Sequence, residues 1–195
     1  MSDPIAAIAD ALRGGDPIVL PTDTVYGLAA LATDADAVDK IFAVKKRPVD
    51  TRIAALVADR SQAETLVDLS PAGRRLADAF WPGALTIVAP RRADCALAVG
   101  DEHTVGVRCP DHPLMRELAR REGPIAATSA NRHGQPTPAT ASDVAAVFPK
   151  IAMIIDGGRI EGSASTVVSV VSGIEVLREG PISAADIDAV LAPNS

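Results

Sequence analysis

Apolar residues recur along the chain at two spacings, and these predict helices that alternate with strands. Ile5, Ile8 and Leu12 follow the three- and four-residue spacing of a helix face, and Gly14-Gly15 supplies a stop. The apolar run "PIVL" at 17–20 predicts a buried strand. The predicted helices are 3–13, 33–46, 70–83, 112–122, 141–147 and 183–191. A capping box, "SQAE" at 61–64, predicts the start of one more helix. The predicted strands are 17–20, 52–58, 84–90, 104–110, 124–128, 151–156, 165–171 and 174–179.

The order of these elements predicts the fold class. Some neighbouring strands have no helix between them, so a strictly repeating parallel sheet fits poorly. We expect an α+β fold with α/β-type layers, a twisted mixed β-sheet flanked by helices. The length of 195 residues favours one domain, 1–195. The longest irregular stretch is 129–142, and loops of that length in compact domains tend to be functional.

Composition and charge exclude several classes of protein. A content of 48% hydrophobic and 23% charged residues is that of a soluble globular chain. No apolar run approaches the roughly 20 residues that cross a bilayer, and the first residues lack a signal-peptide pattern. We therefore expect a cytoplasmic protein with no membrane contact. The net charge of -6 argues against tight binding of bulk nucleic acid, although a local basic patch stays compatible with it.

Neither the cysteines nor the histidines show the spacing of a metal site. Cys95 and Cys109 form no CxxC pair, and His103, His112 and His133 are scattered along the chain. The sequence therefore predicts two reduced thiols and no transition metal held by the protein.

Polar side chains follow many of the apolar runs. "PTDTVYGL" at 21–28 places Thr22 and Thr24 where a strand ends, and these hydroxyls either bind a ligand or form a turn. Phosphate-binding signatures such as GxxxxGK[ST] and GxGxxG are missing from the sequence. Cations, hydroxyls and amides converging from strand ends suit a polyanion together with a small zwitterion. The other polar residues at the ends of apolar runs are Lys45, Arg47, Arg108, Ser129, Asn131, Ser165, Thr166 and Arg178.

At these residues the chain resembles the threonylcarbamoyl-AMP synthase family, which has the YrdC-like fold. The sequence motifs of the family appear in their usual order from residue 21 to 180, as "PTDTVYGL", "KKRP", "FWPGALTIV", "VGVRCPDHP", "TSANRHGQPTP", "STVV" and "LREG". The resemblance is to the short, single-domain form. The sequence departs from the family after "KKRP", where Arg52-Ile53 stands in place of the usual Pro-Leu.

The resemblance implies an activity, substrates and partners. Family members combine L-threonine, bicarbonate and ATP into threonylcarbamoyl-AMP and pyrophosphate, with Mg²⁺ accompanying ATP. The product is the donor for the t6A modification of tRNA, so tRNA-modifying threonylcarbamoyl transferase proteins are the implied downstream partners. Weak RNA binding by the protein itself is left open.

The resemblance also implies residue roles. It makes Lys45 and Arg47 catalytic. It places Lys45, Arg47, Thr51, Thr104, Ser129, Asn131, Thr137 and Arg178 at ATP, and Thr24, Leu56, Arg108 and Ser165 at threonine.

Single residues have simpler explanations. Lys45 and Arg47 suit a helix C-terminus, Arg108 suits a structural carboxylate, and Asn131 suits a turn. Two other functions also stay open, namely a related carbamoyl-adenylate-forming enzyme and an RNA-binding YrdC-like module. The single Trp and single Tyr offer little base stacking to RNA.

Overall fold

A mixed sheet of eight strands forms the centre of the molecule. The computed structural model describes residues 4–45, 53–132 and 134–192. The strands are β1 (Ile18–Leu20), β2 (Gly27–Leu31), β3 (Ala54–Leu56), β4 (Leu85–Pro90), β5 (Thr104–Arg108), β6 (Ile125–Ser129), β7 (Thr166–Ser169) and β8 (Glu175–Arg178). Their order across the sheet is β1-β2-β6-β3-β5-β4-β7-β8. The β3–β5 and β4–β7 pairs are parallel and the other pairs are antiparallel, which confirms the predicted mixed sheet and α+β class.

Seven helices lie in the described ranges. They are α1 (Pro4–Arg13), α2 (Ala35–Lys45), α3 (Arg60–Glu64), α4 (Pro71–Phe80), α5 (Pro113–Glu122), α6 (Ala141–Val147) and α7 (Ala184–Leu191). Their predicted positions agree with the structure to within a few residues at each end. No helix within these ranges is both long and apolar enough to cross a membrane.

The helices divide between the two faces of the sheet. Side chains of α2, α3, α4, α6 and α7 join one large aliphatic core with alternate strand residues such as Val105 and Val107. On the opposite face α1 and α5 pack with β1, β2, β3 and β6 in a second, smaller core. Fully burying one such aliphatic side chain contributes about 1.5 to 3 kcal/mol.

The smaller core covers only part of its face. On β5 the residues that alternate with Val105 and Val107 are Thr104, Gly106 and Arg108, and they lie on the face of α1 and α5. Gly106 and Arg108 line an open pocket there, because α1 and α5 do not extend over this part of the sheet. Among the described residues, the fold therefore leaves this concave region of the sheet open to a ligand.

Two sequence predictions were wrong. The segment 151–156 is not a strand, since it makes only an isolated bridge from Ile154 to Val19 at the edge of the sheet. Helix α3 is not capped by Ser61, because the side chain of Asp59 accepts the hydrogen bond from the amide of Gln62 at 2.9 Å.

One strand was missed altogether. The sequence "GLAAL" of β2 was assigned to no element, because glycine and alanine are poor strand formers. It is a strand because it pairs with β1 on one side and with β6 on the other. Pairing with neighbouring strands therefore makes this segment a strand, although its residues have low strand propensity.

Candidate active site

The residues that line the pocket come from seven strands, β2 to β8, and from the segments that adjoin them. It extends across the uncovered part of the sheet from β2 to β8. Its lining residues are Thr22, Thr24, Val25, Gly27, Ile53, Ala54, Leu56, Thr86, Val88, Gly106, Arg108, Ala127, Thr128, Ser129, Ala164, Ser165, Val167 and Arg178. Aliphatic and small residues form the floor, and hydroxyl and guanidinium groups surround it. Such a lining suits a polar ligand with a small apolar part.

The two threonines of "PTDTVYGL" have different tasks. The buried hydroxyl of Thr22 accepts the amides of Thr24 and Val25, both at 3.1 Å, and donates to the carbonyl of Val25 at 2.6 Å. Thr22 therefore forms the turn that follows β1. The hydroxyl of Thr24 lies 3.0 Å from that of Thr22 and accepts a hydrogen bond from Arg108, also at 3.0 Å. Of the two hydroxyls, Thr24 is the better candidate for a ligand contact.

The role of Thr22 predicts a stability effect. Thr22→Val keeps the shape of the side chain but leaves the amides of Thr24 and Val25 without their acceptor, so the free energy of unfolding should fall by about 1 to 3 kcal/mol. Urea denaturation measures this loss. The exposed Thr65 is a matched control, since Thr65→Val should change stability by no more than about 0.5 kcal/mol. Equal stability of Thr22→Val and the wild type would contradict the assigned turn.

Arg108 is the central cation of the pocket. Its side chain is 7% exposed and donates to the carbonyl of Gly83 at 2.9 Å, to Thr24, and to the carboxylate of Asp23 at 2.6 Å. Burial lowers the pKa of the Arg108 guanidinium, and the charge of Asp23 opposes that shift. The structural carboxylate considered for Arg108 is therefore present. Asp23 is not part of the pocket lining, so it holds Arg108 from outside the pocket.

A second guanidinium lies on the far side of the pocket. Arg178 donates to the carbonyl of Ser165 at 2.8 Å and 3.1 Å, and the hydroxyl of Ser165 lies 2.8 Å from that of Thr86. Burial, and then the charge of Arg108, lower the pKa of Arg178. The two cations therefore repel each other, and an anion between them would relieve that repulsion.

Lys45, Ser129 and Asn131 form a polar cluster beside the pocket. Lys45 ends α2 and is 2% exposed, and its ammonium donates to the carbonyl of Ser129 and to Oδ1 of Asn131. The hydroxyl of Ser129 donates to the same Oδ1 at 2.6 Å. Asn131 also shapes its turn, by donating to the carbonyl of Gln135. The structure thus joins three residues that the resemblance places at ATP.

Tyr26 ties a distant segment to this region. Its buried hydroxyl donates to the carbonyl of Gly158 at 2.6 Å and accepts the amide of Gly157 at 3.0 Å. The burial raises the pKa of Tyr26. These bonds hold Gly157 and Gly158 at Tyr26, Gly162 lies close to the carbonyl of Thr24, and the chain then leads to Ser165 in the pocket.

The predicted site residues fall into three groups. The pocket lining includes Thr24, Leu56, Arg108, Ser129, Ser165 and Arg178, and the cluster beside it includes Lys45 and Asn131. Thr104 and Thr137 are not among the lining residues, and Thr104 instead donates to the carboxylate of Asp101 at 3.1 Å. Arg47 and Thr51 lie outside the described residues, so their roles stay predictions.

Sequence reasoning missed several contributors to the site, among them Thr86, Gly106 and Asp23. Thr86 lay within the quoted "FWPGALTIV" and Gly106 within "VGVRCPDHP", but neither was singled out. Asp23 lay between the two threonines, and its partner Arg108 is 85 residues away. A glycine inside an apolar run is a signal that could have pointed to Gly106.

The described residues contain no group of three or more His, Cys, Asp or Glu side chains that could hold a metal ion. Neutral hydroxyls at Thr24, Thr86, Ser129 and Ser165 line the pocket instead. Hard cations such as Mg²⁺ are often bound chiefly by substrate phosphates and water, and these hydroxyls suit that arrangement.

Comparison with known proteins agrees with this architecture. The family model of the Sua5/YciO/YrdC domain, described as telomere recombination, matches residues 10–180. The threonylcarbamoyl-AMP synthase of Bacillus subtilis is 44% identical over 98% of this chain and 58% of that protein. The threonylcarbamoyl-AMP synthase of Serratia proteamaculans is 35% identical over 89% of this chain and 94% of that protein.

A solved structure supports the same assignment. The crystal structure of Pyrococcus abyssi Sua5 complexed with L-threonine has a TM-score of 0.85 and 37% identity, over 96% of this chain and 57% of that chain. This chain thus spans somewhat over half the length of the Bacillus and Pyrococcus relatives. With the ordered motifs and the mixed sheet, these matches show that the chain belongs to the Sua5/YciO/YrdC family.

Proposed function

We propose that the protein is an L-threonylcarbamoyladenylate synthase, a nucleotidyltransferase that uses L-threonine, bicarbonate and ATP. The observation that carries this proposal is the convergence of Arg108, Thr24 and Ser165 in one pocket with Arg178 and Ser129. The relatives named threonylcarbamoyl-AMP synthase and the threonine complex of the Pyrococcus protein support the same choice of substrates.

Arg108 is suited to the carboxylate of threonine. Asp23 and Gly83 fix its guanidinium, and two of its five N–H groups remain after the three hydrogen bonds described above. A planar guanidinium matches a carboxylate with paired hydrogen bonds. Thr24 and Ser165 lie where they can orient the polar groups of the amino acid, and Leu56 supplies an apolar wall. In the proposal, these four residues bind threonine.

Lys45, Ser129, Asn131 and Arg178 are suited to ATP. Their ammonium, hydroxyl, amide and guanidinium groups offer charge and hydrogen bonds to phosphate oxygens. Mg²⁺, when bound with ATP, neutralises phosphate charge as pyrophosphate departs. Arg47 and Thr51 join these ATP residues by resemblance, and Thr104 and Thr137 are weaker members.

The proposed reaction needs no protein nucleophile. The amine of threonine and bicarbonate give a carbamate and water. An oxygen of the carbamate then bonds to the α-phosphorus, the bond from that phosphorus to the pyrophosphate oxygen breaks, and pyrophosphate leaves with the electron pair. The protein contributes by holding the two reactants together and by neutralising charge on the phosphoryl oxygens.

The destination of the product is also a proposal. A mixed anhydride of a carbamate and AMP is reactive, so we propose that it passes to tRNA-modifying threonylcarbamoyl transferase proteins in the cytoplasm. Direct weak RNA binding stays a prediction, which a salt-dependent RNA shift assay would test.

The activity gives a direct prediction. Pyrophosphate release from ATP and Mg²⁺ should require both threonine and bicarbonate, because the attacking carbamate contains both. A coupled pyrophosphatase assay in buffer depleted of CO₂, with each substrate omitted in turn, measures this requirement. Equal release without threonine would contradict the proposal. Release with carbamoyl phosphate in place of threonine and bicarbonate would favour the related carbamoyl-adenylate-forming enzyme.

A further inference from the structure

Gly27 and Gly106 are strand residues that line the pocket, and neither has a positive φ. Glycine in a strand is less favourable than alanine, because glycine loses more conformational freedom on folding. The backbone conformation at these two positions does not require glycine, so the presence of glycine there needs another explanation. Close approach of a ligand or of another part of the chain is the usual one.

Packing within the protein explains some glycines but not Gly27. A methyl group at Gly162 would collide with the carbonyl of Thr24, and one at Gly180 with that of Ala164. A methyl group at Gly27 would lie 3.5 Å from the carbonyl oxygen of Thr128, and its next neighbours would be 3.9 Å away. These are ordinary van der Waals separations, so the described residues leave room for alanine at position 27.

The position of Gly27 indicates which ligand atoms would need the space. Gly27 pairs with Ser129 across β2 and β6, and Ser129 belongs to the cluster with Lys45 and Asn131. Thr24, which accepts a hydrogen bond from Arg108, lies three residues before Gly27 in the chain. Gly27 therefore adjoins Ser129, which the proposal places at ATP, and is close in the chain to Thr24, which the proposal places at threonine.

We propose that Gly27 keeps open the place where the two substrates meet. The missing side chain lets the carbamate oxygen reach the α-phosphorus, and a methyl group there holds the reactants apart. Each substrate alone still binds, because the methyl group matters only when both are present. This inference rests on the proposed function, and it makes Gly27 a positioning residue for the bond-forming step.

The test compares binding with turnover in Gly27→Ala. Melting temperature and the separate affinities for threonine and for ATP should stay near wild-type values, with Kd changes of about twofold or less. Turnover should fall about 100-fold, the size of effect expected from a misplacement of about 1 Å between reacting groups. Calorimetric titration with threonine and ATP in turn, beside the pyrophosphate assay, supplies every value.

Thr65→Val is the control, because Thr65 is exposed and is not among the residues that line the pocket. Its turnover should stay within about twofold of wild type.

Four results would overturn the inference. They are wild-type turnover in Gly27→Ala, a marked fall in its melting temperature, loss of binding of one substrate alone, and an equal loss of turnover in the control Thr65→Val. The failure of the proposed function is a separate result, because wild-type protein would then release no pyrophosphate in response to threonine.

Discussion

Replacing Arg108 with alanine should weaken threonine binding about 30-fold or more, while ATP binding survives. Arg108 is nearly buried, and its guanidinium bonds to Thr24, Asp23 and Gly83. A carboxylate that enters this site without a cation would lose its solvation and gain no partner. The expected loss is about 2 kcal/mol or more, roughly a 30-fold rise in Kd for threonine. Calorimetric titration with threonine and with ATP measures it.

The controls separate recognition from folding. Arg159→Ala removes an exposed arginine that pairs with Glu161, and it should bind threonine normally. The double variant Arg108→Ala/Asp23→Asn removes both charges, so it tests whether an unpaired Asp23 disturbs the fold. Normal threonine affinity in a folded Arg108→Ala variant would show that Arg108 serves only Asp23.

Replacing Lys45 with methionine should produce the largest loss of turnover. The ammonium of Lys45 is buried and lies at Ser129 and Asn131, both of which the proposal places at ATP. Loss of a preorganised group that stabilises developing charge costs about 3 to 4 kcal/mol, or 10² to 10³ in kcat. Methionine keeps much of the length and apolar character of the side chain. Steady-state pyrophosphate release, with melting temperature as the check on folding, measures the effect.

Lys40 offers a matched control on the same helix. It is exposed and pairs with Asp16 at 2.8 Å, so Lys40→Met should leave kcat within about twofold of wild type. A Lys45→Met variant with near-normal kcat would mean that Lys45 merely ends α2 and supports the Asn131 turn.

Local pattern was sufficient to predict most of the helices and strands. Helix α6 was predicted with the bounds that the structure has, and α4 (Pro71–Phe80) lies within the predicted helix 70–83. Helix start and stop signals depend on residues a few positions apart, so they can be recognised in the sequence without knowledge of the fold. Strand β2 could not be predicted in this way, because its small residues depend on neighbours supplied by β1 and β6.

The motif "PTDTVYGL" supported both of its interpretations. Thr22 forms the turn and Thr24 faces Arg108, and the sequence alone could not assign the two tasks. Thr86 could not be predicted as a site residue, because its partner Ser165 is 79 residues away. The parallel pairing of β4 with β7 brings these hydroxyls together. The family resemblance predicted several site residues, but the contacts between distant strands could be identified only from the structure.

The identity of the product tests the central proposal most directly. The protein would be incubated with ATP, Mg²⁺, threonine and ¹³C-bicarbonate, and the products separated quickly and weighed by mass spectrometry. We predict an adduct of AMP, one carbonyl and threonine whose mass rises by one unit with the labelled bicarbonate. The appearance of ADP or AMP alone, with no labelled adduct at any time point, would contradict it.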